Sequence, residues 1–301
     1  MKILITGDEG FVGREFHRQL EARHFKHDIV GLDIKSGNDC RDFFRNDDLH
    51  DHYDLVIHLA AIVGGRQKIE NQPLAVATDL SIDAEMFNWA ARSKPTRVVY
   101  FSSSAAYPIS RQSDRWADSH DYRLEESAVR LKNLIGEPDM SYGWSKLTGE
   151  FLVPYLEAEG VKVHVFRPFS GYGEDQDLDY PFPSFVFRGA KRQDPFVIWG
   201  DGEQSRDFIH IEDIVKGVFA AIDNEVYGPV NLCTGRKTTF NELAEIVTLT
   251  AGYNPEFHHV LDAPQGVYCR VGNPMKMLEF YTPKITLEEG VKRALNSPRY
   301  A

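Results

Sequence analysis

The sequence predicts an α/β fold: a doubly wound parallel sheet with a smaller C-terminal α/β lobe. Strand-like apolar runs alternate with helical patterns through about the first 170 residues, the alternation that builds parallel sheets with helical crossovers. Several runs are apolar at consecutive positions, as strands covered on both faces are. Beyond residue 170 the chain becomes turn-rich and its elements shorten.

The first strand is 2–6 (KILIT), followed by a helix over 11–23 with apolar residues at helical spacing. Strands at 28–33 (DIVGLD) and 54–61 (DLVIHLAA) come next, then a helix over 74–92 and a strand at 97–103 (RVVYFSS). Residues 107–141 are polar and fit neither pattern. They form a long loop after a strand, where α/β sheets bind ligands. A helix over 142–159 and a strand at 161–166 (VKVHVF) complete the first unit. The turn-rich run 171–183 leads to helices over 211–224, 239–253 and 286–296. Two domains are expected: 1–170, with part of 205–235 returning to its sheet, and 171–301.

A chain of 301 residues, 42% hydrophobic and 26% charged, builds a large core without disulfides. Its net charge of -11 argues against nucleic acid, whose binding runs on clustered Lys and Arg. A local basic pocket for a small anion stays compatible with that charge. Cys40, Cys233 and Cys269 cannot all pair and show no metal-ligand spacing, so a reducing compartment and no metal are expected. The opening apolar run is too short for a signal-peptide core, and no stretch approaches a membrane span. A cytoplasmic protein is the expectation.

The first strand runs into Gly7, Gly10 and Gly13 in GDEGFVG, which opens a helix. The first glycine permits a tight turn, the second lets backbone approach a pyrophosphate, and the third lets helix and strand pack closely. The helix N-terminus, at Phe11 and Val12, then faces the phosphate charge. Asp33 ends the second strand, 20 residues beyond Gly13, where an acid accepts hydrogen bonds from the adenosine ribose. A carboxylate there repels a 2′-phosphate, so the cofactor predicted is NAD; Lys35 is the nearby cation that keeps NADP open.

Tyr142 and Lys146 are four apart at the start of a helix and so share one face. A phenol of ordinary pKa near 10 is a poor base at neutral pH, and bringing it to about 7 takes roughly 4 kcal/mol. An adjacent ammonium and an oxidised nicotinamide both favour the phenolate. Ser102, Ser103 and Ser104 end an earlier strand, where a hydroxyl would share the reacting oxygen's hydrogen bond with Tyr142.

Together these features resemble the extended short-chain dehydrogenase/reductase family, in particular its nucleotide-sugar epimerases and dehydratases. The resemblance covers essentially the whole chain: TGDEGFVG, Asp33, DLVIHLAA, the serines before Tyr107, YGWSK, RPFSGYG and WGDGEQSRDFIHIEDIV. It implies a Rossmann domain that binds NAD and a C-terminal lobe that binds a nucleotide-diphosphate sugar. It also implies a homodimer packed through helices such as 79–92 and 143–159. Carried over, Tyr142 is the base, Lys146 its pKa modulator and ribose anchor, and Ser103 the hydroxyl partner, with Ser104 the fallback. Asp39 and Cys40 match the pair that meets adenine, and Leu59, Ala60 and Ala61 flank the cofactor. Ser104, Ser170, Arg206 and Arg270 fall on substrate positions, the arginines matching those that hold a diphosphate through their planar fork. A plain salt bridge is the competing role for Arg270.

Departures from the family narrow the reaction. The 4,6-dehydratases carry an Asp-Glu pair where this chain has Ser104 and Ala105. The GDP-sugar 3,5-epimerases and epimerase-reductases place a cysteine where Ala105 stands. The segment AAIVGGRQKIENQP and Tyr107-Pro108 nevertheless resemble the GDP-sugar enzymes, and Ser170 replaces an Asn of many UDP-sugar enzymes. The reaction needing the fewest groups is 4-epimerisation through a transient 4-keto sugar. Alternatives are a net dehydrogenase, reductase or dehydratase on the same sugar class, or a non-catalytic NAD-binding sensor. His58 is expected to be a packed core histidine and His210 a neighbour of a helix cap; Trp199 is either a stacking surface or a core anchor.

Overall fold

The computed structural model describes residues 1–23, 27–46, 51–62, 73–113, 122–131 and 136–300. Residues 114–121 and 132–135 of the 107–141 loop and residues 63–72 of the AAIVGGRQKIENQP segment lie outside the described residues. The strands are β1 (Lys2–Thr6), β2 (Asp28–Leu32), β3 (Leu55–His58), β4 (Arg97–Phe101), β5 (Lys162–Pro168), β6 (Ser170–Tyr172) and β7 (Phe196–Trp199). After them come β8 (Ser205–Arg206), β9 (Phe208–His210), β10 (Gly228–Leu232), β11 (Thr238–Thr239), β12 (Phe257–Val260) and β13 (Cys269–Arg270). The helices are α1 (Phe11–Ala22), α2 (Cys40–Arg45), α3 (Ala75–Ser93), α4 (Met140–Ala158), α5 (Pro181–Ala190), α6 (Ile211–Asp223), α7 (Phe240–Thr250), α8 (Met275–Leu278) and α9 (Leu287–Leu295).

Six of the strands form one parallel sheet in the order β10-β5-β4-β3-β1-β2. This is the Rossmann-type doubly wound sheet expected. Side chains alternate across it. Ile3, Ile5, Ile57 and Val99 point into one layer with Phe16 and Leu20 of α1 and Val215, Val218 and Phe219 of α6. Leu4, Val56, Val98 and Val165 point into the other, with Phe44 of α2, Met86 and Trp89 of α3, and Val153 and Leu156 of α4. Burial on both faces is why these strands lack a polar alternation.

Strand β1 lies between β2 and β3, with Thr6 opposite both Leu32 and His58. The chain therefore reverses direction across the sheet at β1, and the crevice at the C-terminal ends of β1 and β3 is the ligand position of such sheets. Strand β3 stops at His58, short of the expected Ala61, for a local reason. The Leu59 and Ala60 N–H groups turn to the Thr6 hydroxyl (3.2 and 3.1 Å), which steers the chain off the ladder and into the crevice.

Beyond β6 a separate core joins Phe182, Phe185, Phe196, Leu243, Val247 and Val291. Helices α7 and α9 of this core start on side-chain caps: Thr239 accepts from Glu242 N at 3.0 Å and Thr286 from Glu289 N at 3.2 Å. Strand β10 leaves this region and extends the main sheet beside β5, Gly228 opposite His164.

Candidate active site

The glycine turn connects β1 to α1. Gly7 sits at φ +69°, a conformation that favours glycine, and a Cβ on it would come within 2.9 Å of Ala60 N. A Cβ at Gly13 would meet Asp8 Cα at 2.5 Å, so it is the turn itself that needs this glycine. No side chain caps α1 at Gly10. The first N–H groups of α1, at Phe11, Val12 and Gly13, lack intrahelical partners and suit the oxygens of a pyrophosphate.

Asp33 is buried at the end of β2 and accepts from Glu9 N at 3.1 Å and Lys35 N at 2.9 Å. It thus ties the glycine turn to the end of β2. Lys35 Nζ donates to Glu9 O at 3.2 Å at the same turn. Asp39 caps α2 through Arg41 N (2.9 Å) and pairs with the Arg41 guanidinium. Next to it Cys40 is buried in the core, and burial pushes its thiol up to about 12. Leu59, Ala60 and Ala61 are half-buried along the crevice.

Tyr142 is half-buried on the first turn of α4, near Ser103. The Ser103 hydroxyl accepts from Ala105 N at 3.0 Å, which fixes it at the start of the turn after β4. Ser104 is buried beside it. Lys146 is buried one turn along α4, its Nζ 5.8 Å from the Tyr142 ring centre and 5.4 Å from that of Tyr100. Helix and strand approach closely here because Gly149 faces Tyr100; a Cβ at 149 would run into the Tyr100 hydroxyl.

The charge around Tyr142 differs from the expectation. Lys146 Nζ lies 3.8 Å from Asp83 Oδ2, and both side chains are almost fully buried. Asp83 also accepts from Tyr100 OH at 2.6 Å and lies 3.1 Å from His58 Nε2. Burial works to raise the Asp83 carboxyl, but Lys146, His58 and Tyr100 hold it below its usual range. One turn earlier, Asp79 accepts from Ile62 N at 2.6 Å, and burial lifts its pKa to about 6. For Tyr142 itself, burial and then Asp79 and Asp83 push the phenol well above the ordinary tyrosine range; nearby Ser103 works the other way. The sequence assigns phenolate formation to Lys146 and an oxidised nicotinamide acting together. With Asp83 as a counter-ion, the lysine charge is already balanced before any cofactor binds.

His58 is the buried core histidine expected, with Nδ1 2.9 Å from Thr6 Oγ1; burial lowers its pKa and keeps it neutral. His210 does more than neighbour a cap: its Nδ1 accepts from Glu212 N at 3.2 Å, so it is the cap of α6. Trp199 is exposed, which rules out the core-anchor role.

The substrate positions are dispersed over the C-terminal strands. Ser170 is half-buried on β6, its N–H bonded to Asp207 O at 2.9 Å. Arg206 donates to the carbonyls of Ser205 (2.8 Å) and Val267 (2.7 Å), holding the segment before β13. Arg270 donates to Gln112 Oε1 at 2.5 Å and to Asp139 Oδ2 at 2.5 Å. Asp139 stands at the N-cap position of α4, so Arg270 braces the helix that carries Tyr142. Sequence reasoning missed Asp79, Asp83 and Tyr100. It also missed Tyr180 before α5, whose phenol is pushed up by burial and then by Tyr142. Among the described residues no cluster of three His, Cys, Asp or Glu could hold a metal ion, and no helix is long and apolar enough to cross a membrane.

Comparison with known proteins places this arrangement among relatives. A family model described as the NAD dependent epimerase/dehydratase family matches residues 3–233. A provisionally named UDP-glucose 4-epimerase of Methanocaldococcus jannaschii is 28% identical, over 98% of this chain and 97% of its own. The GDP-mannose 3,5-epimerase of Arabidopsis thaliana is 27% identical over 97% of this chain and 80% of its own. Among solved structures, the UDP-glucose 4-epimerase of Thermus thermophilus in complex with NAD superposes with a TM-score of 0.78 at 22% identity, covering 98% of each chain.

Proposed function

Because the chain belongs to the NAD dependent epimerase/dehydratase family, we propose that it is a nucleotide-sugar 4-epimerase working through a transient 4-keto sugar. The observation that supports this reading is Tyr142 and Lys146 together on α4 near Ser103, with Lys146 linked through Asp83 and His58 to Thr6, the residue before the glycine turn. The groups that neighbouring reactions add are replaced: Ser104 and Ala105 stand where dehydratases carry Asp-Glu, and Ala105 where 3,5-epimerases carry cysteine.

The cofactor is NAD, and the N-terminal unit 1–170 with β10 holds it. The uncapped start of α1 takes the pyrophosphate, Asp33 the adenosine ribose, and the segment 59–61 flanks the ring. Bound NAD supplies a hydride acceptor that becomes the donor on return. Tyr142 takes the C4 hydroxyl proton as the C4 hydride leaves, Ser103 keeps the reacting oxygen hydrogen-bonded, and Lys146 anchors the ribose. The 4-keto sugar turns over in the pocket, takes the hydride on its other face, and recovers the proton from Tyr142. No net redox change results. Arg206 and Arg270 of the C-terminal lobe face the diphosphate. A second copy of the chain covers the exposed apolar stripe of Trp144, Phe151 and Tyr155 on α4 and Leu80 on α3.

A net reductase is the second reading, favoured by the protonated Tyr142, since a phenol is the acid that a keto sugar needs when hydride arrives. Incubation with UDP-, GDP- and dTDP-hexoses separates the two. A 4-epimerase interconverts one C4 pair without accumulating NADH, and the Tyr142→Phe variant loses turnover while keeping NAD. Stoichiometric conversion of cofactor overturns the epimerase reading.

A further inference from the structure

Helix α3 carries two buried carboxylates, Asp79 and Asp83, one turn apart on the face that packs against α4. Among the described residues, neither makes an ordinary ion pair with a surface cation. Asp83 lies 3.8 Å from Lys146 and gathers Tyr100 and His58, and His58 reaches on to Thr6 at the end of β1. Asp79 receives the N–H of Ile62, the residue after the Ala60-Ala61 segment along the crevice. We propose that Asp83 is a positioning residue that holds Lys146, and that it and Asp79, one turn away on the same face, keep the phenolic proton on Tyr142 until a cation, the oxidised nicotinamide ring, lies against it.

Charge counting supports this. The groups facing Tyr142 are Lys146 from its own helix, Asp79 and Asp83 from α3, Ser103 and Tyr100 from the end of β4, and Tyr180 from the segment before α5. With both carboxylates ionised the cluster already carries one negative charge in excess of Lys146. A phenolate would add a second in a buried site, which is unfavourable without an incoming cation. A reduced nicotinamide brings no such charge, so the phenol keeps its proton and stands ready as the acid. The direction of the Tyr142 shift agrees: burial first, then Asp79 and Asp83, raise it.

The inference rests on Tyr142 being the proton acceptor of the proposed reaction, and the test separates the two. Near-ultraviolet phenolate absorbance is titrated with and without NAD in the unsubstituted protein, Asp79→Asn and Asp83→Asn, with Tyr142→Phe as the blank. Without NAD the unsubstituted protein shows no Tyr142 phenolate around neutral pH, and NAD induces one. In each Asp→Asn variant the NAD-loaded midpoint falls by about one pH unit, the direction expected when a negative neighbour is removed. Asp79→Asn keeps the measurement available if Asp83→Asn fails to fold. A merely structural role changes thermal stability and leaves the midpoint in place. Unmoved midpoints, or a phenolate at neutral pH without NAD, overturn the inference and leave Tyr142 as the base. A NAD-loaded protein in which Tyr142→Phe erases no phenolate signal removes Tyr142 from that role, and this inference with it.

Discussion

Arg270 on β13 forms a largely buried ion pair with Asp139, the residue at the N-cap of the Tyr142 helix. A diphosphate arriving at Arg270 would therefore exchange one anionic partner for another, and would do so next to the helix that carries Tyr142. Truncation of one member of a buried pair strands the other, at about 3 kcal/mol. Arg270→Ala is expected to lower stability by that order and to raise KM for the nucleotide sugar. Asp139→Asn keeps a hydrogen-bond acceptor, so it is expected to lose less stability. Denaturant titration of both variants, with steady-state kinetics, checks the ordering; equal KM in Arg270→Ala and the parent would remove Arg270 from the substrate site.

The cofactor turn gives a second expectation. A side chain at Gly7 would be strained at φ +69° and would crowd Ala60 N. Gly7→Ala is expected to weaken NAD binding at least tenfold, with strain of about 1–2 kcal/mol in the turn. Calorimetric titration with NAD measures it, and the same experiment with NADP tests Asp33, whose carboxylate should make NADP the weaker ligand.

Asp79 makes stability depend on pH. Its folded-state pKa is raised to about 6 from an ordinary carboxylate value. Such a group favours the folded state when protonated, so its contribution is present at low pH and is lost as pH rises through about 6. Asp79→Asn removes the cost of the buried charge and is expected to stabilise the protein at pH 8 by about 1–3 kcal/mol. At pH 4 the gain should nearly vanish. Melting curves of parent and variant across that range check it, and a gain independent of pH would contradict the assignment.

The exposed stripe on α4 predicts assembly. Phe151→Glu with Tyr155→Glu is expected to yield a monomer, because two charges would be buried in the proposed contact. Light scattering on the parent and the double variant measures mass directly; a monomeric parent ends the dimer reading.

Most of the fold was legible because its signals are local. The residues of KILIT, DIVGL and RVVYF alternate between two apolar layers and need no knowledge of their neighbours. The glycine turn, Tyr142 and Lys146 were legible for the same reason, as spacings within a few residues. Asp79 and Asp83 had a signal that went unread. They fall at helical spacing with Ile82, Met86, Phe87 and Ala90, on the face that buries apolar groups. Two acids on a buried face mark a charge that must meet a partner. The partner, Lys146, is far along the chain, and no local pattern connects them. The engagement of Arg206 with Val267 O and of Arg270 with Asp139 was illegible in the same way, since loop packing sets both.

The bare α-carbon of Gly149 acts as a spacer between α4 and β4, where a side chain would meet the Tyr100 hydroxyl. Adding even a methyl group there would lift the helix off Tyr100 and carry Tyr142 and Lys146 outward as a rigid pair. Screens that rank damaging substitutions by nearness to the reacting atoms would overlook such a position, although the reach of the Tyr142 phenol is set by it.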